Sequence, residues 1–170
     1  MEELRDARGL TEAEAIARYR SKNYPRPALT ADIVIFQEEE DRKRVLLIRR
    51  GGHPYLGKWA LPGGFANEQE PVEQTAQREL QEETGVEGLS LQLVGVYSKP
   101  HRDPRGWVVS VAFCAGISED IPVKAGDDAA DARWFTLEGE TLRDGDLTLR
   151  FEELAFDHGG ILRDAIMSKL

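Results

Sequence analysis

The chain of 170 residues carries 31 acidic and 22 basic side chains, and its formal net charge at pH 7 is −9. This length predicts one domain that can bury a core, and the acidic excess argues against a general DNA- or RNA-binding surface. The single cysteine excludes an intrachain disulfide, the charged N-terminus does not resemble a signal peptide, and no apolar run approaches membrane-spanning length, so a cytoplasmic location is the default expectation.

The first predicted element is a short amphipathic helix with Thr11 as its N-cap, and Ile16 and Tyr19 are expected to dock on the body of the protein. Two prolines then stop the helix and start an extended segment. We therefore predict an N-terminal helical extension over residues 1–27 and a main domain over residues 28–170. The sequence leaves open whether the extension covers that domain or joins a homodimer.

A β-hairpin follows the extension. Residues 31–36 predict a strand, and residues 44–49 predict its return. Arg49 lies at the end of the second strand, which by itself indicates a surface cation. The glycine-rich loop 51–58 contains Tyr55, which could stack on a nucleobase.

The next predicted element is a helix that starts at Pro71 and ends before Gly85. Proline suits the first turn, where its missing N–H costs nothing, and glycine suits the left-handed residue that follows a helix. Val72, Ala76 and Leu80 repeat every four residues and form one apolar stripe. This stripe is expected to face the core.

Acidic side chains share this apolar face. At about 100° per residue, Glu79 and Glu83 fall within a few tens of degrees of the stripe, and Glu82 lies beside them. Like charges four residues apart cost a helix about 0.2–0.5 kcal/mol in water, and more where water is scarce. Mg²⁺ is the simplest counter-charge, because it prefers oxygen ligands. The alternative, an acidic solvated helix, would place these acids opposite the stripe.

The segment from Gly64 to Val86 resembles the complete Nudix box: Glu70 follows the glycine after five residues, and after seven more comes Arg78-Glu79-Leu80-x-Glu82-Glu83-x-Gly85-Val86. No position of the signature departs from it. The resemblance implies a hydrolase of nucleoside diphosphates linked to another group, with Mg²⁺ or Mn²⁺ as cofactor. It also implies an α/β/α sandwich, with the box helix on one side of a mixed central sheet and the C-terminal helix on the other.

The resemblance also implies residue roles by position. Glu70 and Arg78 resemble the ion pair that braces the loop against the helix. The metal-binding or water-activating groups that it implies are the Gly63 carbonyl, Glu79, Glu82 and Glu83.

Strands are predicted at residues 89–97 and 107–115, and the loop between them is cationic. This loop resembles that of ADP-ribose pyrophosphatases in the Nudix superfamily, which makes Arg102 and Arg105 candidate substrate contacts. An ordinary hairpin tip is the alternative. In proteins that resemble this one, a basic residue at the end of the hairpin strand 44–49 lies near the substrate phosphates, which makes Arg49 a further candidate. Cys114, in the strand 107–115, is interpreted as an inert core thiol.

An acidic loop precedes the strand predicted to begin near residue 132. In Nudix enzymes an acid on this loop often completes the metal site or orients the attacking water, and by position we choose Asp128, with Asp127 as the second choice. An aspartate at a turn is the alternative. The general base stays open between Glu82 and Asp128. Asp157 is interpreted as the N-cap of the final helix.

These observations favour hydrolysis of ADP-ribose to AMP and ribose 5-phosphate. Within enzymes, the alternative is a Nudix hydrolase of another nucleoside diphosphate derivative or of an oxidised nucleotide. A non-catalytic ADP-ribose sensor is a further alternative. Such sensors carry an added DNA-binding domain, for which 170 residues leave no room, and the box acids are intact. We therefore expect an enzyme that binds a small nucleotide, with neither nucleic acid nor membrane as a partner.

Overall fold

The computed structural model describes residues 3–126 and 129–168, and in this part of the chain nine strands form one mixed sheet. The helices are α1 (Glu12–Arg20), α2 (Val72–Thr84) and α3 (His158–Ser168). The strands are β1 (Ala28–Glu39), β2 (Arg42–Arg50), β3 (Trp59–Ala60), β4 (Gly63–Phe65), β5 (Gln92–Tyr97), β6 (Val108–Ile117), β7 (Ala129–Glu138), β8 (Thr141–Asp144) and β9 (Leu147–Arg150).

The sheet has the order β5-β6-β1-β2-β7-β8-β9, and only the β1–β6 pair is parallel among the described strands. β1 and β2 pair with each other near their hairpin turn. Beyond it they separate, so that β1 pairs with β4 and β2 pairs with β3. This insertion places Gly63 directly opposite Asp32.

Side chains of β1 alternate between two cores, as expected for a strand with both faces covered. Ile33 and Ile35 belong to the core that contains Ala76 and Leu80 of α2. Residues of the opposite face pack with α3: Val34, Phe36, Ile161, Leu162 and Ala165. Cys114 is buried in this second core, as predicted. The mixed sheet between two helices confirms the predicted α/β fold.

The hairpin strands are longer than the sequence predicted. Two cross-strand ion pairs extend them toward the turn, Lys43 with Glu38 at 3.3 Å and Arg44 with Glu39 at 3.2 Å. Opposite charges facing each other across a strand pair stabilise it, which a reading of hydrophobicity alone does not capture. β8 and β9 form a second hairpin, which extends the sheet beyond β7.

Helix α1 begins at the predicted N-cap. Thr11 accepts a hydrogen bond from the Glu14 N–H, and the Glu14 carboxylate accepts one from the Thr11 N–H, which completes a capping box. The expected docking of Ile16 and Tyr19 on the body is wrong, because both stay about half exposed (45% and 55%) and no residue of α1 is buried. Tyr19 instead stacks on Tyr24 of the same N-terminal segment, with the ring centroids 5.2 Å apart. None of the helices in the described residues is long and apolar enough to cross a membrane.

Candidate active site

A cavity of about 650 Å³ opens where β1, β4 and α2 meet the loop 98–106 and the turn before α3. Charged groups of opposite sign line it. Its acidic side chains include Asp32, Glu79 and Glu83, its basic ones Arg50, Arg102 and Arg105, and its aromatic ones Phe65 and Phe156.

Glu83 is the most deeply placed acid of the box helix that faces the cavity. Its side of α2 turns toward the sheet, which leaves the residue 9% exposed. One carboxylate oxygen accepts the Gly63 N–H at 2.9 Å. Burial nevertheless raises the pKa of Glu83 to about 8. The ionised Glu83 carboxylate therefore has too little positive charge around it, and a cation bound beside it would stabilise it.

Glu79 lies one turn earlier on the same face, and burial raises its pKa as well. Its carboxyl group packs against the backbone of β4. A Cβ atom on Gly64 would come within 2.5 Å of the Glu79 carboxyl carbon. The missing side chain at this position thus leaves the space that the Glu79 carboxylate occupies.

Replacement of Gly64 by alanine is therefore expected to displace the Glu79 carboxylate without unfolding the protein, because the clash is with the end of a flexible side chain. In the hydrolase that the sequence predicts, activity should then fall about 10- to 100-fold, the effect typical of a misplaced group at a metal site. Steady-state kinetics and a thermal unfolding curve measure the two effects. Full activity of Gly64→Ala would contradict this role of the glycine.

Arg78 connects the box helix to the preceding loop. It forms two bonds with Glu70, at 2.8 and 3.0 Å, and donates to the Phe65 carbonyl at 2.9 Å. The Nη1 atom of Arg78 donates to the Glu79 carboxylate at 2.7 Å and to the Glu82 carboxylate at 3.0 Å. The hydrogen bond from Arg78 is the main reason that the pKa of Glu70 falls to about 2. Arg78 therefore both braces the loop and partly neutralises the acids.

The acids of α2 offer oxygen donors to a divalent cation. Among residues 3–126 and 129–168, no three acidic, histidine or cysteine side chains enclose a metal site as they stand. Glu79 and Glu83 face the cavity beside Gly63, whereas Glu82 turns toward Arg78 at its edge. The available donors are carboxylate and backbone oxygens with too little counter-charge, which is the chemistry that Mg²⁺ and Mn²⁺ prefer. The residues therefore fit such an ion.

Arg50 provides the opposite charge on the facing wall. Its Nε donates to the Pro54 carbonyl at 2.7 Å, and its guanidinium group lies over the Phe156 ring at 4.9 Å. No described residue accepts a hydrogen bond from its terminal nitrogens. Burial, followed by repulsion from Arg105, lowers the pKa of Arg50. Two neighbouring cations that repel each other beside a cavity favour the binding of an anionic ligand.

The cationic loop supplies Arg105 and Arg102 in fixed positions. Asp103, which is buried, accepts three hydrogen bonds from the Arg105 guanidinium group. Arg105 lies over the Phe65 and Phe156 rings, at 4.6 and 5.3 Å from their centroids. Arg102 forms a two-bond ion pair with Asp157, at 2.6 and 2.8 Å. Asp157 directly precedes α3, at the predicted N-cap position, and its carbonyl accepts the Ile161 N–H at 3.2 Å. Its side chain ties the loop to the start of this helix.

The structure separates the predicted substrate contacts into two groups. Arg102 and Arg105 line the cavity. Arg49 lies outside this lining and donates to the Gly57 carbonyl at 3.1 Å. Tyr55 also lies outside it, and its ring packs on Phe156 at 4.7 Å. The predicted acids Asp127 and Asp128 lie outside the described residues.

Sequence reasoning missed Arg50, Phe156 and His158. Strand alternation places Arg50 on the same face as Ile48, but only the structure shows that this face lines the cavity. The turn that carries Phe156 and His158 gave only a helix-capping signal, at Asp157. Its position against a loop more than fifty residues away is a property of the tertiary structure.

Comparison with known proteins places this geometry in a family. A sequence model of the NUDIX domain matches residues 26–150. An ADP-ribose pyrophosphatase of Methanocaldococcus jannaschii is 42% identical over 141 residues, which cover 83% of this chain and 74% of that protein. The ADPR-responsive transcriptional repressor NtrR of Acinetobacter baylyi is 33% identical over 157 residues, which cover 91% of this chain and 59% of the repressor.

A solved structure shows the same fold. The NUDIX domain of Shewanella oneidensis NrtR, in complex with ADP ribose, superposes with a TM-score of 0.77 at 31% identity, over 95% of this chain and 100% of that domain. The family match begins at residue 26, close to the expected boundary after residue 27, which stays a prediction. The chain therefore belongs to the Nudix family of hydrolases.

Proposed function

We propose that the protein hydrolyses the diphosphate linkage of ADP-ribose to AMP and ribose 5-phosphate, with Mg²⁺ or Mn²⁺ bound at the glutamates of α2. The observation that carries the proposal is one cavity that the half-buried Glu79 and the buried Glu83 line together with Arg50 and Arg105. A diphosphate would pair with the two guanidinium groups, and a divalent cation would pair with the two carboxylates. The similarity to an ADP-ribose pyrophosphatase supports the choice of substrate.

The basic wall would bind and orient the substrate. The terminal nitrogens of Arg50 lack partners among the described residues and can donate to phosphate oxygens, and Arg105, held by Asp103, adds a second charge. Arg102 lines the same cavity from its ion pair with Asp157. Fixed donors of this kind hold the phosphorus in line for attack, which lowers the entropic cost of reaction.

The acidic wall would serve hydrolysis itself. Glu79, Glu82, Glu83 and the Gly63 carbonyl would hold the divalent cation, which would neutralise phosphate charge and make water more acidic. Water adds to one phosphorus, the bond from that phosphorus to the bridging oxygen breaks, and a carboxylate takes the proton of the water. We assign that last role to Glu82, whose side chain is 35% exposed at the edge of the site, with Asp128 as the alternative.

Aromatic rings at the rim would bind the base. Phe65 and Tyr55 are each 39% exposed, and Phe156 lines the cavity between the two guanidinium groups. A planar base can stack on such rings. These contacts would make the adenosine half of ADP-ribose part of the recognised substrate.

A substrate panel tests the proposal. The purified protein is incubated with Mg²⁺ or Mn²⁺ and with ADP-ribose, NADH, diadenosine polyphosphates or oxidised deoxynucleotides, and products are separated chromatographically. We expect ADP-ribose to have the highest kcat/KM and to yield AMP, and we expect EDTA to abolish turnover. Equal or faster hydrolysis of another compound would reject ADP-ribose as the substrate.

An ADP-ribose sensor is the second candidate, because of the similarity to the NtrR repressor and to the ADP ribose complex of NrtR. Titration calorimetry distinguishes it from an enzyme. Binding of ADP-ribose without any release of AMP, in the presence of Mg²⁺ and Mn²⁺, would favour the sensor.

A further inference from the structure

A chain of buried polar groups runs beneath the cavity. The Ser110 hydroxyl on β6 donates to one carboxylate oxygen of Asp32 on β1. The other oxygen of Asp32 lies 3.4 Å from Nε2 of His158, the first residue of α3. Nδ1 of His158 accepts the backbone N–H of Leu61 at 3.0 Å. All four residues are buried, so each polar atom depends on the next one in the chain.

The hydrogen bonds define the state of the imidazole. Because Nδ1 accepts from Leu61, the ring proton lies on Nε2, toward Asp32. Burial lowers the pKa of His158, which agrees with a neutral ring. His158 thus provides Leu61 with a fixed acceptor, and Asp32 fixes the ring.

The segment from Leu61 to Gly63 connects His158 with Glu83. Three successive residues are each held by a different partner. The Leu61 N–H bonds to His158, the Pro62 carbonyl accepts the Ile33 N–H at 2.9 Å, and the Gly63 N–H donates to Glu83 at 2.9 Å. A shift at Leu61 is therefore transmitted to Gly63, two residues further along.

We propose that His158 is a positioning residue of the active site, whose Nδ1 fixes the Leu61–Gly63 backbone and through it the Glu83 carboxylate. This inference rests on the proposed metal-dependent function, since it concerns how well the site binds a divalent cation. It gives helix α3, on the opposite face of the sheet from α2, a direct connection to the acidic wall. Asp32 and Ser110 hold the ring of His158 in place.

The test compares two variants in the metal-free full chain by electron paramagnetic resonance titration with Mn²⁺ alone. His158→Asn keeps an acceptor near the Nδ1 position, whereas His158→Gln places its amide near the Nε2 position. We expect His158→Asn to bind Mn²⁺ within about 3-fold of the parent affinity and His158→Gln to bind it about 10- to 100-fold more weakly. With ADP-ribose, kcat of His158→Gln should fall by a similar factor while KM stays within about 3-fold.

Ala165→Gly is the matched control, because Ala165 is buried on the same helix as His158 but lies near its C-terminal end. It should lower Tm and leave the Mn²⁺ affinity unchanged, since it affects packing alone. Equal Mn²⁺ affinities of His158→Asn and His158→Gln would overturn the proposal, as would a loss in Ala165→Gly equal to that in His158→Gln.

Amide hydrogen exchange provides a second measurement that needs only His158→Asn to fold. The Leu61 N–H should stay protected in this variant, and fast exchange there would overturn the proposal. Mn²⁺ binding is measured without nucleotide. A parent protein that binds Mn²⁺ but does not hydrolyse ADP-ribose would therefore refute the proposed substrate and leave the comparison of variants intact.

Discussion

Replacement of Glu83 by glutamine is expected to lower kcat for ADP-ribose by roughly 10³-fold, because a lost divalent-cation ligand removes several kcal/mol of transition-state stabilisation. The protein should stay folded. Burial raises the pKa of Glu83 to about 8, so the carboxyl group of the metal-free protein holds its proton at pH 7 and an amide of the same size replaces it at little cost. Steady-state kinetics and urea unfolding measure the two effects.

Glu73→Gln provides the control for this variant, because Glu73 lies on the same helix but is exposed. The same change of charge there should leave kcat within about 2-fold, since surface substitutions rarely have large effects. A Glu83→Gln protein that kept more than a tenth of the parent activity would show that the catalytic site lies elsewhere.

Replacement of Arg50 by alanine is expected to raise KM for ADP-ribose about 10- to 100-fold. Hydrogen bonds to charged groups contribute about 1.5–3 kcal/mol each, and the terminal nitrogens of Arg50 face the cavity without a partner among the described residues. Arg50→Lys should show an intermediate effect, because lysine keeps the charge but loses the planar pair of donors. Initial rates over a range of ADP-ribose concentrations give the values.

Arg49→Ala is the control, and it separates the sequence-based choice from the structural one. Arg49 donates to the Gly57 carbonyl and lies outside the cavity lining, so its loss should change KM by no more than about 3-fold. If Arg49→Ala raised KM more than Arg50→Ala did, the assignment of Arg50 to the diphosphate would be wrong.

The acidic wall could be predicted because all of its residues from Gly63 to Glu83 lie in one continuous stretch of sequence. Helix periodicity decides which side chains share a face, so the apolar stripe of Ala76 and Leu80 placed Glu79 and Glu83 toward the protein. The caps also depend on local backbone geometry: Gly85 ends α2 with φ of 77°. Local rules were sufficient for these features.

The positions of three basic side chains of the cavity, Arg50, Arg102 and Arg105, depend on contacts between distant segments. Arg50 faces the cavity because β1 and β2 separate and admit the segment with β3 and β4 between them. The turn at Phe156–His158 reaches the site only because α3 packs on the far side of the sheet, which brings its first residue beneath Leu61. The periodicity of a single segment cannot predict such a contact between distant segments.

The sequence by itself thus determined the family, the box helix and the carboxylates that face inward, since each follows from spacing within about two dozen residues. Only the tertiary structure decided which arginine faces those carboxylates and that His158 supports them. The physical reason is that charge complementarity across a cavity and burial of a polar chain arise between segments that are distant in sequence and meet only when the sheet is assembled.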